Sequence, residues 1–238
     1  MNAQALFREG KLQEAIESLG GELRSNPTDA QRRTFLFELL CFAGNHDRAE
    51  KQLDVLAQGG KQAALGTLLY RSALHADRIR QEMFRTGDFP QVTRAAPVRG
   101  SVNGQAFESL VDADPRIGAR IEVFAAGQYM WLPLEHVATV RMQPPRRLRD
   151  LLWAPAVVRP GPAFKELELG ELLLPVMAPL SWQHPDDAVR LGRVTEWTEV
   201  DGGQQAPVGQ KLLLVDGEEL PILELRELDI TPSATPGH

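Results

Sequence analysis

Proline placement divides the chain before any other feature is read. Of 17 prolines, only Pro27 lies ahead of residue 88. Proline lacks an amide donor and its ring clashes with the preceding helical turn, so a stretch that avoids it is free to form uninterrupted helices. A stretch studded with it is confined to strand edges, turns and loops. The first stretch is rich in Ala, Leu, Gln, Glu and Arg, and apolar residues recur there at helical spacing, as at Leu12, Ala15, Ile16, Leu19 and Leu23. From Phe89 onward, short β-rich runs such as 119–124 and 211–215 are punctuated by Gly and Pro. The segment from Asp88 to Gly100 has the composition of a linker, which places a boundary near residue 95.

The helical stretch repeats itself. A shift of 34 residues pairs Gly10 with Gly44, Ala15 with Ala49 and Leu19 with Leu53, and 34 is the period of tetratricopeptide helix pairs. Pro27 stands where such a unit closes, and a third unit is expected to open with a helix from about Gln62 to Arg85. Asn26-Pro27-Thr28-Asp29 offers a cap for the helix through Arg33, Leu36 and Leu40, and Gly44-Asn45 supplies a left-handed stop. The expected fold class is therefore α+β. N-terminal tetratricopeptide-like helical repeats and a linker occupy residues 1–95, and a mainly antiparallel β domain occupies 96–238, with a short helix at Asp186 to Leu191. Two and a half units leave an open edge, which the β half is expected to cap.

In such arrays the first helix of each pair lines the concave face. The register places Gln4, Phe7 and Arg8 there, then Gln31, Thr34, Glu38 and Phe42, then Leu65, Leu68, Ser72 and His75. Phe7, Phe42, Leu65 and Leu68 would form an apolar stripe suited to an amphipathic helix. The same residues would equally serve to pack the third helix or the β domain.

Composition narrows the function classes. Lys plus Arg number 26 against 32 Asp plus Glu, a net charge of −6, which disfavours nucleic acid as a partner. A single cysteine, Cys41, rules out an intrachain disulfide and a cysteine-built metal cluster, and a reducing cytoplasm is the expected location. The opening MNAQALFREGKLQEA has no basic segment followed by an apolar one, and no apolar run approaches membrane length, so neither secretion nor membrane insertion is expected. The nucleophile elbow, phosphate loop, dinucleotide fingerprint and paired zinc histidines are all missing, and His46, His75, His136, His184 and His238 are scattered. No catalytic residue, cofactor or metal is expected. An enzymatic alternative remains, a metal-dependent hydrolase built on Asp112, Asp114 and Asp150. Against it, Asp112 and Asp114 beside Pro115 and Arg116 suit a capped turn, and the basic spot at Arg146, Arg147 and Arg149 suits a solvated or acid-paired face.

The β half carries ordered motifs: Phe107, Asp112-Ala-Asp114, Arg116 and Gly118; Gly127-Gln-Tyr-Met-Trp131-Leu-Pro133; Leu148-Arg-Asp-Leu-Leu-Trp-Ala-Pro155; Arg193-Val-Thr-Glu-Trp197; and Gly209-Gln-Lys-Leu. These resemble the ImpE family, also called TagJ or SciE-type, accessory proteins of bacterial type VI secretion systems, and the resemblance extends over almost the whole chain. It implies a non-enzymatic cytoplasmic adaptor that binds the small sheath subunit through that subunit's N-terminal amphipathic helix and is linked to sheath disassembly by the ClpV-type AAA+ unfoldase. This chain looks shortened around residues 86 to 97 relative to typical members. Read physically, Trp131, Trp153 and Trp197 are expected to fill a sheet-built core. Asp112, Asp114, Arg116, Arg149, Asp150 and Glu196 are expected to pin loops against it by charge-assisted hydrogen bonds. The repeats alone would also permit a general helix-binding, chaperone-like protein unrelated to secretion.

Overall fold

A computed structural model of the chain describes residues 2–90, 98–162 and 171–231. Five helices come first: α1 (Ala3–Arg8), α2 (Leu12–Ser25), α3 (Ala30–Phe42), α4 (His46–Ala57) and α5 (Lys61–Thr86). Strands follow: β1 (Gly100–Val102), β2 (Gln105–Phe107), β3 (Leu110–Asp112), β4 (Arg120–Ala125), β5 (Gln128–Pro133), β6 (Val137–Met142), β7 (Trp153–Pro160) and β8 (Glu171–Pro175). The short α6 (Asp187–Arg190) then leads to β9 (Glu196–Val200), β10 (Gln204–Val208), β11 (Leu212–Val215), β12 (Glu218–Pro221) and β13 (Glu227–Ile230). The expected boundary near residue 95 falls within 91–97, outside the described residues.

Local chemistry sets the helix limits. The Asn2 side chain caps α1 by accepting from Ala5 N–H, and the Asp29 side chain caps α3 by accepting from Arg32 N–H. Gly10 and Gly44 take left-handed φ of +83° and +66° and end α1 and α3. The 34-residue shift is visible in three dimensions: α2 and α4 begin 34 residues apart, and Ala15, Ala49, Leu19 and Leu53 are all buried. Gly44 also lets the Trp182 ring of the β half lie where a Cβ would stand, so a larger residue there would break both the stop and the contact.

The strands form one antiparallel sheet in the order β2-β1-β13-β6-β7-β8-β4-β5, a three-stranded sheet β12-β11-β3, and the isolated hairpin β9–β10. Two apolar cores result. One lies within the β half around Ile121, Val123, Val140, Val158, Leu174 and Leu228. The other is built by α1 to α5 but includes Phe124, Leu152, Trp153 and Leu191 from the β half. The β half thus packs against the helices through a shared apolar core.

Two expectations about side chains are corrected here. Phe42 is 2% exposed, not part of an open stripe. Every residue from Leu36 to Phe42 is buried, because the end of α3, apolar but for Glu38, is enclosed by neighbours on each side. Trp197 is 38% exposed on β9, which belongs to the isolated hairpin, so it fills no core and its indole N–H instead donates to Glu219 Oε1 at 3.1 Å. Trp131 is half-buried, stacked on Phe89 and beside Phe84. Of the three tryptophans expected in the core, only Trp153 is a fully enclosed ring, and it packs toward the helices against Phe37.

Candidate functional site

The helix α5 runs between two environments. Its second half presses on β4 and β5, and there a sealed ionic cluster joins the two halves of the chain. Arg80 donates from Nε and Nη2 to the two carboxylate oxygens of Glu122, at 2.7 and 3.0 Å, and from Nη2 to the Met177 carbonyl at 3.1 Å. Lys211 Nζ donates to Glu122 and makes an ion pair with Asp112. The Tyr129 hydroxyl donates to Glu122, and Trp131 Nε1 donates to Tyr129. The side chains of Arg80, Glu122, Lys211 and Asp112 are 1%, 0%, 3% and 1% exposed. Such burial is tolerable only when every charge is paired and hydrogen-bonded.

Titration behaviour follows from that crowding. Burial would raise the Glu122 carboxyl, but Arg80 and Lys211 overcome it and hold it below the usual carboxylate range. Burial pushes the Asp112 carboxyl up, because its one cation, Lys211, is shared with Glu122. For Lys211, burial acts to lower the ammonium, yet Asp112 and Glu122 raise it on balance. Burial and the adjacent Glu122 charge push the Tyr129 hydroxyl well up.

The first half of α5 is open instead. Leu65, Leu68 and Leu69 are 60%, 56% and 56% exposed. Beside them a groove of about 830 Å³ runs between α3, α4 and α5, with Thr34, Phe37, Leu53, Leu56, Leu65, Leu69 and Tyr70 along its walls. A smaller hollow of about 360 Å³ continues past Leu69 and Tyr70 to Ser72, Phe124, Gly127 and Trp153. The turn Leu148–Leu151 closes one side of both. Asp150 holds that turn by accepting from the backbone N–H groups of Arg146 and Arg147 at 2.9 and 3.0 Å, and the Arg149 guanidinium lies 4.7 Å from the Tyr70 ring centroid. The Tyr70 hydroxyl is buried with no hydrogen-bond partner among the described residues. Glu38 on α3 is also buried, and desolvation lifts its carboxyl to about 7 against the pull of Arg149 and Arg147.

Of the residues expected on the concave face, the groove and its extension bring together Thr34, Leu65 and Ser72. Leu68 is exposed next to them. Phe7 packs edge-on against Phe35 and under the Arg193 guanidinium, away from the groove, because α1 lies beside the loop after α6. Arg8, Gln31 and His75 are exposed but do not line it, and Glu38 and Phe42 are buried. Among the motif residues, Asp114 receives a two-pronged bond from Arg116, and Asp112 accepts from Asp114 N–H at 2.9 Å. Glu196 is exposed, 3.5 Å from His184. The three aspartates of the hydrolase alternative are thus each held by an arginine, a lysine or backbone amides. Among the described residues no group of three His, Cys, Asp or Glu side chains gathers to ligate a metal.

Sequence reasoning missed Arg80 and Glu122, and it quoted Tyr129 and Lys211 within motifs without giving them a role. The available signal was a lone charge inside an apolar run, as Glu122 in Arg-Ile-Glu-Val-Phe and Lys211 before Leu-Leu-Leu-Val. It also missed Leu69, Tyr70 and the arginine turn as parts of one groove.

Comparison with known proteins bears on this geometry. The family model described as ImpE protein matches residues 104–229, which contain Asp112, Glu122, Tyr129, Arg149 and Lys211. The chain is 34% identical to the type VI secretion system accessory component TagJ of Pseudomonas aeruginosa, over 98% of this chain and 92% of that protein. The crystal structure of protein VPA1032 from Vibrio parahaemolyticus has the same fold, with a TM-score of 0.84 at 24% identity, covering 96% of this chain and 97% of the other. Among the described residues no helix is long and apolar enough to cross a membrane. On the strength of the family match and the TagJ alignment, this chain belongs to the ImpE/TagJ family.

Proposed function

We propose that the protein is a non-catalytic, cytoplasmic adaptor of a type VI secretion system, holding the N-terminal amphipathic helix of the small contractile-sheath subunit and thereby linked to sheath disassembly by a ClpV-type unfoldase. The observation behind this reading is the exposed leucine face of α5 beside an open apolar groove, on a protein whose relative is named an accessory component of that system. Exposed apolar residues gathered on one face of a helix mark an interaction site rather than a solvated surface. The two helix pairs and the half-pair α5 act as a tetratricopeptide-like array, and the groove beside the exposed leucines of α5 lies between α3, α4 and α5. A guest helix fits there by the same ridge-into-groove packing that joins α3 to α4.

Isothermal titration of the purified full chain with the sheath small subunit of the same secretion system, intact and with its N-terminal helix removed, tests the proposal. Saturable binding that disappears with the helix supports it. Equal binding of both forms, or none by either, rejects it.

A further inference from the structure

The charges around the groove are not mixed. Three charged side chains line it, Arg33 from α3 and Arg147 and Arg149 from the turn before β7, and all are cationic. This is unexpected for a chain whose net charge is −6. Elsewhere on α5 the arginines are answered: Arg71 by Asp54 at 2.7 Å, and Arg78 by Asp47 and Glu50, both at 2.9 Å. In the groove the answer is weaker: Arg33 forms no ion pair among the described residues, and Arg147 and Arg149 share the pull of one buried carboxyl, Glu38, which desolvation lifts to about 7. Arg33 donates to neutral acceptors, the Pro27 carbonyl and Gln52 Oε1. Arg147 is exposed and forms no ion pair among the described residues. Arg149 reaches Asp150 only at 3.7 Å, while that carboxylate is engaged by two backbone amides.

We infer that the groove selects its guest by charge as well as by apolar fit: the occupant is an amphipathic helix with carboxylates along the flank that meets Arg33, Arg147 and Arg149. This rests on the reading of the groove as the seat of a partner helix and adds what that helix must carry. Apolar side chains of the guest cover Leu65 and Leu69, and its carboxylates meet the arginines at the groove margin, where guanidinium pairing is two-pronged and directional. An acceptor drawn in beside Arg149 would also lie next to Tyr70, whose hydroxyl has no partner of its own. Arginine-to-carboxylate pairing at an interface rejects like-charged guests more strongly than it tightens the correct one.

Two synthetic amphipathic peptides of identical leucine pattern, one with Glu and one with Lys along the flank, test this on the full chain by titration at low and at physiological salt. Overall protein charge opposes the expected result, since a net-negative surface attracts the Lys peptide. The Glu peptide should bind at least tenfold more tightly at low salt, with the gap shrinking as salt is added. Arg147→Glu should narrow or invert that gap, and Arg48→Glu, the same charge change at an exposed α4 position off the groove, should leave it. Melting curves verify that both variants are folded. Equal affinity of the two peptides, preference for the Lys peptide, absence of binding by either, or equal effects of Arg147→Glu and Arg48→Glu would each overturn the inference. Titrating the sheath subunit in parallel separates the two claims. If that subunit binds without regard to Arg147, the charge inference fails and the partner stands; if it does not bind while the Glu peptide binds through Arg147, the partner fails and the inference stands.

Discussion

The two halves of α5 are treated in opposite ways by the rest of the chain. From Ala73 to Phe84 one face of the helix is walled in: Ala73, Leu74, Ala76, Arg80 and Phe84 are buried, and Arg80 is tied into a cluster with Glu122 and Lys211, while His75, Ile79 and Glu82 are exposed. From Lys61 to Ser72 it turns leucines to solvent. A single helix 26 residues long is thereby both a structural tie and a free edge. The teaching is that burial of ionic groups and exposure of apolar ones belong to one design. The buried polar contacts tie α5 to the sheet; under the proposed function the exposed half is thereby held in one position, and a guest helix would lose less ordering entropy on binding. Whether the cluster itself stabilises or merely specifies the docking is a separate matter, since buried ion pairs are weak sources of net stability while breaking one is costly.

The comparison can be broken at either end. The largest effects belong to the closed half. Glu122→Gln removes the carboxylate that Arg80 and Lys211 share, leaving Arg80 with Asp77 at 3.9 Å and Lys211 with Asp112, and should cost about 3–5 kcal/mol in chemical denaturation; a loss below about 1 kcal/mol would mean that the cluster is not what joins the halves. Phe42→Ala, in the same enclosed region as Trp153 and Arg80, should also cost about 3–5 kcal/mol, as should Trp153→Ala. If Phe42→Ala left the melting temperature unchanged, its burial would be wrong and the concave-stripe expectation would return.

A middle effect sits between the halves at Glu38. Its folded carboxyl is raised from 4.5 to about 7, so the stability linked to its protonation is complete below about pH 4.5 and is lost as the pH rises through about 7. The difference corresponds to about 3 kcal/mol. Urea unfolding at pH 5 and pH 8 should show the wild type losing more stability between those values than Glu38→Gln does. Parallel pH profiles would exclude Glu38 as the cause.

The smallest effects on folding belong to the open half. Leu65→Asp and Leu69→Asp, both at exposed positions, should change stability by no more than about 0.5 kcal/mol, yet lower the affinity for the sheath-subunit helix about tenfold or more, equivalent to about 1.4 kcal/mol. A variant that folds normally and binds normally would move the docking site off α5.

Reading the chain without coordinates recovered what is local. The limits of α3 were written in Asp29 and Gly44, and the run to α5 in an unbroken helical pattern, because caps and glycine stops act within one turn. The antiparallel β character of the second half was likewise legible in short β-branched runs and turn residues. Distance in sequence hid the rest. Glu122 meets Arg80 across 42 residues and Lys211 across 89, and the one local sign, a lone charge within an apolar run, does not say which partner it meets. The concave register failed at Phe42 for a related reason: a helix end apolar but for Glu38 has no face that pattern alone can assign to solvent. Leu65 and Leu68 are exposed, but the arginine turn that borders the groove, Arg147 to Arg149, comes from far along the sequence. Trp197 shows the opposite error, an aromatic in a β-rich run that ends on a two-stranded hairpin with no second layer to bury it.

The enclosure of Cys41 gives the molecule a built-in clock. Its thiol is buried, and desolvation pushes its ionisation well above the ordinary range, so the nucleophilic thiolate is scarce as well as unreachable in the native state. It lines the same small cavity as Phe42, Arg80, Trp153 and Trp182, on the seam where helices meet strands. Alkylation of this one sulfur therefore requires that the seam part, and the rate at which a maleimide or disulfide reagent marks the chain counts how often it does. No introduced label is needed to time that opening, and a guest that clamps α5 against the sheet would slow the count.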